Sequence, residues 1–426
     1  MKPLLITSLS LLLTAGLLAA EKKPVPAPPP LLWRAAAVSV VITPTKNLWM
    51  AGYAGRKKPA EGKVQDLFAK ALALQDEKGQ RLVIVTMDLI GVPQGVRHRV
   101  AGRVEQELGL PPQFLLLNAS HTHSGPSLRG PAVTAKDLEN ERIRGAHEYT
   151  QELEKKLVRV IGEALSKLAP ARLTWNRARS GFAMNRRLPT PKGYTNSPNP
   201  EGPVDHEVPV LRVEGAGGEL RAMMFGYACH NTCLGFYNYC GDYAGYAQEY
   251  LQANRTNFTA LFLMGCAGDQ NPYPRGTGIV PGLADLDLAK QHGRTLANAA
   301  EMANITPKRD VRGPLRAAYE EVSLDYAKER PAHSYPVQVI KFGGDLTLVA
   351  LGSETVVDYS LRLKRELAGD AAVWIAGYSN DYTGYIPSLR VLREGGYEAA
   401  EGWTETVEDR VIGKVHELNR RLGKPN

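Results

Sequence analysis

The sequence lacks several of the motifs that assign a chain to a common class. It contains no His-Glu-x-x-His, no Gly-x-Ser-x-Gly, and no glycine-rich loop ahead of a Lys-Ser or Lys-Thr pair. It has four cysteines in 426 residues, and their spacing is not that of a CxxC zinc site. These absences argue against a zincin protease, a nucleophile-elbow hydrolase, a P-loop protein and a cysteine-zinc module. In an oxidising compartment, Cys229, Cys233, Cys240 and Cys266 permit disulfides in three possible pairings.

Long apolar runs are missing beyond the N-terminus. Lys2 precedes an apolar stretch over residues 4–18 that polar residues interrupt, and Ala19-Ala20 offers a small-residue cleavage site. This pattern favours a signal peptide at residues 1–20 over a membrane span. A proline-rich linker follows at residues 21–33. We therefore expect an exported protein, secreted or periplasmic, with no transmembrane span.

The positive charge of the chain is not concentrated. The net charge is +8, but small basic groups such as Arg56-Lys57-Lys58 are interrupted by carboxylates within a few residues. A nucleic-acid-binding protein would carry a basic stripe or patch, so we expect no nucleic-acid partner. Mild attraction to an anionic membrane surface remains compatible with this charge.

Apolar runs that are typical of buried strands alternate with amphipathic helical patterns. Strands are predicted at 82–87, 114–117, 208–213, 220–227, 260–264, 346–351 and 373–376, and helices at 94–108, 148–168, 246–253, 284–302, 355–367 and 405–422. This alternation predicts an α/β fold in which helices cover a mixed sheet. Residues 179–203, rich in Pro, Gly and Asn, are predicted to form a long irregular loop and a candidate active-site segment.

Two histidines, His121 and His123, directly follow the predicted strand at 114–117. In extended backbone, alternate side chains leave the same face, so both rings are expected to reach one cavity. Imidazole is a common zinc ligand, although two hydrogen-bonded loop histidines would give the same pattern. Other polar residues also follow apolar runs: Asp88, His230, Asp269, Glu354, and Asn380 with Tyr385. Because ligands bind at the carboxyl ends of strands in α/β sheets, this shared position predicts a site.

An ordered series of short blocks resembles the catalytic domain of the neutral, non-lysosomal ceramidases. The blocks run from about residue 35 to 403: Met50-Ala-Gly-Tyr-Ala54, Met87-Asp88-Leu89, Ser120-His-Thr-His-Ser-Gly-Pro126, Asn185-Arg186, Ala228-Cys-His-Asn-Thr232, Gly241-Asp-Tyr-Ala-Gly-Tyr-Ala247, Gly268-Asp269, Gly352-Ser-Glu-Thr355, Asn380-Asp-Tyr-Thr-Gly-Tyr-Ile386 and Gly396-Tyr-Glu398. The resemblance implies one zinc hydrolase domain at residues 34–426. It also implies cleavage of the N-acyl amide of ceramide or a related lipid by zinc-activated water.

The resemblance also implies which residues form the site. The zinc ligands would be His121, His230, Glu354 and Tyr385, and the reaction would be assisted by His123, Arg186 and Tyr397. Two imidazoles and a carboxylate form a known set of catalytic zinc ligands, and donors near them would stabilise an oxyanion. Plainer alternatives are a buried histidine at 230, a helix-capping carboxylate at 354 and packed or surface residues at the other positions.

The chain departs from the family in two places. The family has a Gly-Asp-Val-Ser-Pro block, whereas this chain has Gly268-Asp-Gln-Asn-Pro272, so Asn271 excludes a serine nucleophile at that position. We also expect no immunoglobulin-like domain after the C-terminal helix. Two alternative functions therefore stay open: a zinc hydrolase of a non-lipid amide or ester, and a non-catalytic binding protein on the same scaffold.

Overall fold

Strands and helices alternate through the chain in the computed structural model, which describes residues 31–130, 132–275 and 285–423. The strands are β1 (Trp33–Val41), β2 (Gly62–Lys63), β3 (Phe68–Asp76), β4 (Arg81–Met87), β5 (Leu115–Ala119), β6 (Ala169–Arg179), β7 (Ala183–Thr190), β8 (Gly193–Asn199), β9 (Glu207–Glu214), β10 (Leu220–Tyr227), β11 (Asn238–Tyr239), β12 (Thr259–Met264), β13 (Gln270–Pro272), β14 (Arg309–Val311), β15 (Leu315–Leu324), β16 (His333–Phe342), β17 (Leu346–Leu351), β18 (Glu354–Thr355), β19 (Ala372–Ala376) and β20 (Tyr385–Ile386). The helices are α1 (Gln94–Leu108), α2 (Glu141–Ser166), α3 (Asp242–Gln252), α4 (Asp285–Ile305), α5 (Val357–Glu366), α6 (Leu389–Glu394) and α7 (Val407–Gly423).

Two mixed sheets carry the fold. The larger has the order β12-β10-β9-β6-β1-β3-β4-β5, with β14 also paired to β6, and the smaller has the order β15-β16-β17-β19. The pairs β4–β5, β10–β12 and β17–β19 are parallel, while their other neighbours run antiparallel. The predicted α/β fold, with mixed sheets covered by helices, is confirmed, and two large sheets are present among the described residues.

The two sheets pack face to face between layers of helices. On β17, Leu348 and Ala350 belong to the core between the sheets, whereas Val349 and Leu351 face α5 and α7. Strand side chains alternate between faces, so continuous apolar runs are required where both faces are covered. In the same way, β10 and β12 pack their outer faces against α3 and α4.

Most predicted elements are present, with shifted ends. Helix α2 begins at Glu141 rather than 148, and α3 begins at Asp242 rather than 246. The α2 start is set by Asn140, whose side chain accepts hydrogen bonds from two backbone N–H groups of the first turn. The predicted signal peptide and most of the predicted linker lie outside the described residues. Within the described ranges, none of the helices combines the length and apolar composition needed to cross a bilayer.

The prediction of an irregular loop at residues 179–203 is wrong. These residues form the antiparallel pair β7–β8, and β7 also pairs with β13. Asn, Gly and Pro favour turns in an isolated segment, but here the backbone hydrogen bonds of two partner strands hold the segment extended. The segment still reaches the proposed site, because Arg186 lies on β7.

The carboxyl ends of strands from both sheets meet at one place. Buried Asn118 on β5 links the sheets, because its Nδ2 donates to Gly377 O at 2.8 Å and its Oδ1 accepts from Met264 N at 2.9 Å. These contacts join the ends of β5, β12 and β19. The loops that carry the predicted site residues therefore start from a shared edge.

Candidate metal centre

Three histidines and a glutamate form a buried cluster at this edge. His121, His123 and His230 offer ring nitrogens that all lie within 4.8 Å of one another. Glu354 Oε2 lies 3.2 Å from His121 Nε2 and 3.2 Å from His230 Nε2. His123 Nε2 lies 3.1 Å from His121 Nε2. Four side chains from the segments that follow β5, β10 and β17 thus direct donor atoms at one small volume.

Backbone carbonyls orient two of these rings. His121 Nδ1 lies 2.7 Å from Ile90 O, and His230 Nδ1 lies 2.7 Å from Ala267 O. A carbonyl oxygen only accepts, so each Nδ1 carries a proton, and Nε2 is the ring atom that would face a bound cation. This arrangement, in which the outer ring nitrogen donates to a carbonyl, is the one that metal-binding histidines generally show. Both Nε2 atoms face Glu354 Oε2.

The loop backbone bends sharply to bring the cluster together. His121 has φ 62° and Ser353, which precedes Glu354, has φ 59°. Both values lie in the left-handed region, which costs energy for residues other than glycine and persists where surrounding contacts require it. The expectation that extended backbone aligns His121 with His123 is therefore wrong, although their ring centroids lie 4.8 Å apart. The turn at His121, held by its N–H bond to Leu89 O, brings the rings together instead.

Tyr385 is adjacent to the cluster through strand pairing. Glu354 and Tyr385 are register partners in the short parallel pair β18–β20. The Tyr385 ring stacks on His230 with centroids 6.5 Å apart and an interplanar angle of 17°. Burial raises the pKa of Tyr385 well above its ordinary value, against the opposing charge of Arg186. The phenol therefore keeps its proton at neutral pH in the described arrangement.

Glu354 does not cap the following helix. The first N–H of α5, that of Val357, donates to Asp269 Oδ1 at 2.8 Å. Burial raises the pKa of Glu354, but its contacts with His121 and His230 outweigh burial and bring the pKa well below its ordinary value. Glu354 is thus an ionised carboxylate that faces the imidazoles.

His123 occupies the more open side of the cluster. Its ring is partly exposed, packs against Tyr53 at 4.7 Å, and leaves Nδ1 without a hydrogen-bond partner among the described residues. Burial of the ring nitrogens, followed by the neighbouring His121 and His230, lowers its pKa well below its ordinary value. Burial and the nearby Arg186 charge lower the pKa of His230 to about 3. Both rings are neutral at neutral pH, so each has a lone pair with which it can coordinate a cation.

Arg186 and Tyr397 border the same cluster. Arg186 is buried, with Nη1 3.2 Å from His230 Nε2 and 3.3 Å from Asn271 Oδ1. Its guanidinium carbon lies 5.3 Å from the Tyr385 ring centroid and 5.7 Å from that of Tyr397. Tyr397 is 58% exposed. The structure therefore brings all seven predicted site residues to one place, with Tyr397 at its solvent edge.

Sequence reasoning missed several residues that contact the cluster or the side chains beside it. Tyr382 Oη approaches Glu354 Oε1 at 3.5 Å, and the buried Tyr378 ring packs on His121 at 4.5 Å. Glu398 forms ion pairs with Arg186 and Arg187. Tyr382 and Glu398 lie inside sequence blocks already noted, and those blocks were the available signal. Tyr378 lies outside every block, so nothing in the sequence distinguished it from a core tyrosine.

The four cysteines lie near this region as buried free thiols, all four being within the described ranges. Burial raises the pKa of the Cys240 thiol to about 12 and that of Cys229 well above its ordinary value. Protonated, buried thiols are poor metal ligands and poor nucleophiles. The structure thus gives the cysteines packing roles: Cys229, Cys233 and Cys240 lie in the core around α3, and Cys266 lies in the core beside α5 and α7.

Comparison with known proteins gives a family and a fold. Residues 38–278 match the family model described as neutral/alkaline non-lysosomal ceramidase, N-terminal. Neutral ceramidases A and B of Dictyostelium discoideum are each 27% identical to the chain, over 236 and 230 residues. Each alignment covers 49% of this chain and 31% of the relative, so the chain spans about a third of each relative's length.

Two solved structures share the fold. The neutral ceramidase of Pseudomonas aeruginosa superposes with a TM-score of 0.80 at 20% identity, covering 92% of this chain and 74% of that one. A ceramidase complexed with C2 superposes with a TM-score of 0.76 at 20% identity, covering 91% and 76%. Because these superpositions cover nine-tenths of the chain, the similarity in fold extends well beyond residue 278.

Proposed function

The chain belongs to the neutral/alkaline non-lysosomal ceramidase family, and we propose that it is a zinc-dependent amidohydrolase of N-acyl lipids. The substrate would be ceramide or a related lipid with an N-acyl amide. One observation carries the proposal: Glu354 Oε2 lies 3.2 Å from His121 Nε2 and 3.2 Å from His230 Nε2. The Nδ1 atom of each histidine is hydrogen-bonded to a backbone carbonyl.

The donor set fits a zinc ion. Two neutral imidazoles and one ionised carboxylate are ligands that zinc accepts at catalytic sites. His121, His230 and Glu354 would hold the ion, with Tyr385 as a fourth ligand or a neighbouring donor. Bound there, zinc would act as a Lewis acid on the amide oxygen and would lower the pKa of a water molecule towards neutrality.

His123 is suited to move the proton that amide hydrolysis requires. Its ring is neutral and partly exposed, and its Nδ1 has no hydrogen-bond partner among the described residues. A neutral imidazole in this position can take a proton from the attacking water and deliver it to the leaving amine nitrogen. Without that proton the amine is a poor leaving group.

Arg186 and Tyr397 are suited to stabilise the oxyanion that forms at the amide carbon. Burial lowers the pKa of Arg186, but its contacts, the ion pair with Glu398 among them, raise the pKa well above its ordinary value, so the guanidinium stays charged. Tyr397 adds a phenol at the open edge. Loss of one such donor typically lowers the rate on the order of a hundredfold to a thousandfold.

The sequence supports an exported enzyme that meets its substrate at a membrane. The N-terminal sequence has the pattern of a signal peptide, and the net charge of +8 favours approach to anionic lipid surfaces. We propose a secreted or periplasmic location with peripheral membrane contact. Proteinase protection in cell fractions and vesicle sedimentation would test these two points.

Zinc content and hydrolysis should be measured together on purified protein. The substrates would be a fluorogenic N-acyl sphingosine, a short soluble N-acyl amide and the matching ester. We expect His121→Ala and His230→Ala to lose both zinc and turnover, and His123→Ala to keep zinc but lose turnover. His147→Ala is the matched control, because His147 bonds Gln151 on α2, away from the cluster.

Each of the alternative functions predicts a different result in these measurements. Turnover of the short amide or ester with none of the sphingosine substrate would favour a non-lipid zinc hydrolase. Bound zinc without turnover of any substrate would favour a binding protein. Full amidase activity after removal of the metal would contradict the proposal.

A further inference from the structure

Glu398 shares its buried carboxylate between two arginines of β7. Oε1 accepts from Arg186 Nε at 2.8 Å, and Oε2 accepts from Arg187 Nη1 at 2.5 Å. Glu398 is 2% exposed, and the side chains of both arginines are also buried. Burial raises the pKa of Glu398, but the two guanidinium groups outweigh burial and bring the pKa below its ordinary value. Ionised and hydrogen-bonded on both oxygens, this carboxylate is rigidly held.

The bond to Nε determines how Arg186 presents its remaining nitrogens. A guanidinium is planar, so a partner at Nε restricts rotation of the whole group. With Nε held by Glu398, Nη1 lies 3.2 Å from His230 Nε2. Asn271 also lies near Nη1, at 3.3 Å, but it is neutral and does not replace a carboxylate. Glu398 is thus the anionic partner that aims Arg186 at the cluster.

Glu398 also anchors the segment that carries Tyr397. Gly395 and Gly396 precede it with φ 71° and 86°, a conformation that residues with a Cβ rarely adopt. The chain turns back there towards β7, where Arg187 Nη2 also bonds Gly395 O at 2.7 Å. Tyr397 then packs on Tyr385 with centroids 5.2 Å apart. One carboxylate therefore connects both proposed oxyanion donors.

We propose that Glu398 is a positioning residue for the hydrolysis, holding Arg186 and Tyr397 at the distances at which they contact the developing oxyanion. This inference rests on the proposed function. Glu398 itself contacts neither the histidine cluster nor a reacting atom. Its effect should therefore appear in kcat, while zinc binding, which depends on other side chains, stays intact.

The test uses Glu398→Gln with Glu394→Gln as the matched control. Glu394 bonds Arg187 and Arg390 in the same network but does not touch Arg186. We expect Glu398→Gln to lower kcat roughly 10- to 100-fold, since an ångström-scale misplacement of a catalytic group costs about that much. Zinc stoichiometry and KM should stay near wild type, and Glu394→Gln should retain most of the activity.

A second pair of variants separates positioning from charge balance. Glu398→Gln leaves the buried guanidinium groups of Arg186 and Arg187 without their shared carboxylate, so it lowers the stability of the fold. The double variant Glu398→Gln/Arg187→Gln removes one negative and one positive charge and so keeps the net charge of the network unchanged. The double variant should remain slow if the carboxylate acts through Arg186. In an Arg186→Lys background, Glu398→Gln should add little further loss, because residues that act as a unit are non-additive.

Three results would overturn the inference: full kcat in Glu398→Gln, recovery of kcat when charge balance is restored, or independent losses in the Arg186→Lys background. In each of these three results the wild-type protein is active, whereas the proposed function fails if the wild-type protein itself hydrolyses no amide. That result would overturn the inference as well.

Discussion

Substituting Gly52 by alanine should disable His123 without disturbing the metal ligands. Gly52 has φ 98°, and a Cβ built there would lie 2.4 Å from His123 Cγ and 2.5 Å from its Nδ1. Ordinary contacts of a Cβ begin near 3.4 Å. The His123 ring would therefore have to move by about an ångström, and Tyr53 and His121 at 4.7 and 4.8 Å confine it on other sides.

The size of the effect follows from this displacement. A catalytic group misplaced by about 1 Å loses on the order of a hundredfold in rate. The positive φ adds backbone strain of about 1–3 kcal/mol for a residue with a Cβ, which should lower Tm by a few degrees. The three atoms nearest to the added Cβ all belong to His123, so zinc stoichiometry should stay at the wild-type value.

The assay compares Gly52→Ala with Gly55→Ala, whose added Cβ meets no atom within 4 Å among the described residues. Initial rates on the N-acyl sphingosine substrate, zinc content by mass spectrometry and Tm would be measured for both. We expect the slow rate in Gly52→Ala only. Wild-type kcat in that variant would refute a role for His123 at its described position, and loss of zinc would refute the separation of His123 from the ligands.

Two further predictions concern stability. Burial raises the pKa of Asp242 to about 6, so its protonated form stabilises the fold at low pH, and that contribution is lost as pH rises from about 4 through 6. The unfolding free energy of the wild type should therefore fall relative to Asp242→Asn between pH 5 and 7, and a constant difference would contradict this. The Tyr378 hydroxyl is buried without a hydrogen-bond partner among the described residues, and such a group costs about 1–3 kcal/mol. Tyr378→Phe should thus be at least as stable as wild type in chemical denaturation, and a clear loss of stability or zinc would show that the hydroxyl has a bound partner.

The central strands were predictable because both of their faces are buried. Residues 82–87 and 346–351 are continuous apolar runs, and each is a strand covered on two sides. The polar residues that follow them were expected at the carboxyl ends of the strands, where ligand sites form in α/β sheets. This argument places Asp88 and Glu354 without any knowledge of their partners.

Local patterns could not reveal the geometry between the loops. The left-handed turn at His121 is held by Leu89 and Ile90, about thirty residues earlier in the chain. The hairpin β7–β8 contains Asn, Pro and Gly, and it is extended because β13 pairs with β7 from about eighty residues away. Contacts between residues so far apart in the chain produce no local periodicity in the sequence. The local pattern therefore predicted extended backbone at His121 and an irregular loop at residues 179–203.

The junction between the two sheets decides whether the proposed metal centre can exist. The matched family segment, residues 38–278, contains His121 and His230, but Glu354 lies outside it, on β18, which follows the last residue of β17 in the smaller sheet by three positions. Two imidazoles alone are a weak zinc site, and a carboxylate completes the three-ligand set. That carboxylate reaches the histidines only because the ends of the two sheets are held together, by contacts such as the Asn118 amide bond to Gly377 O. The chemistry therefore depends on the packing of the two sheets as much as on the histidine motif itself.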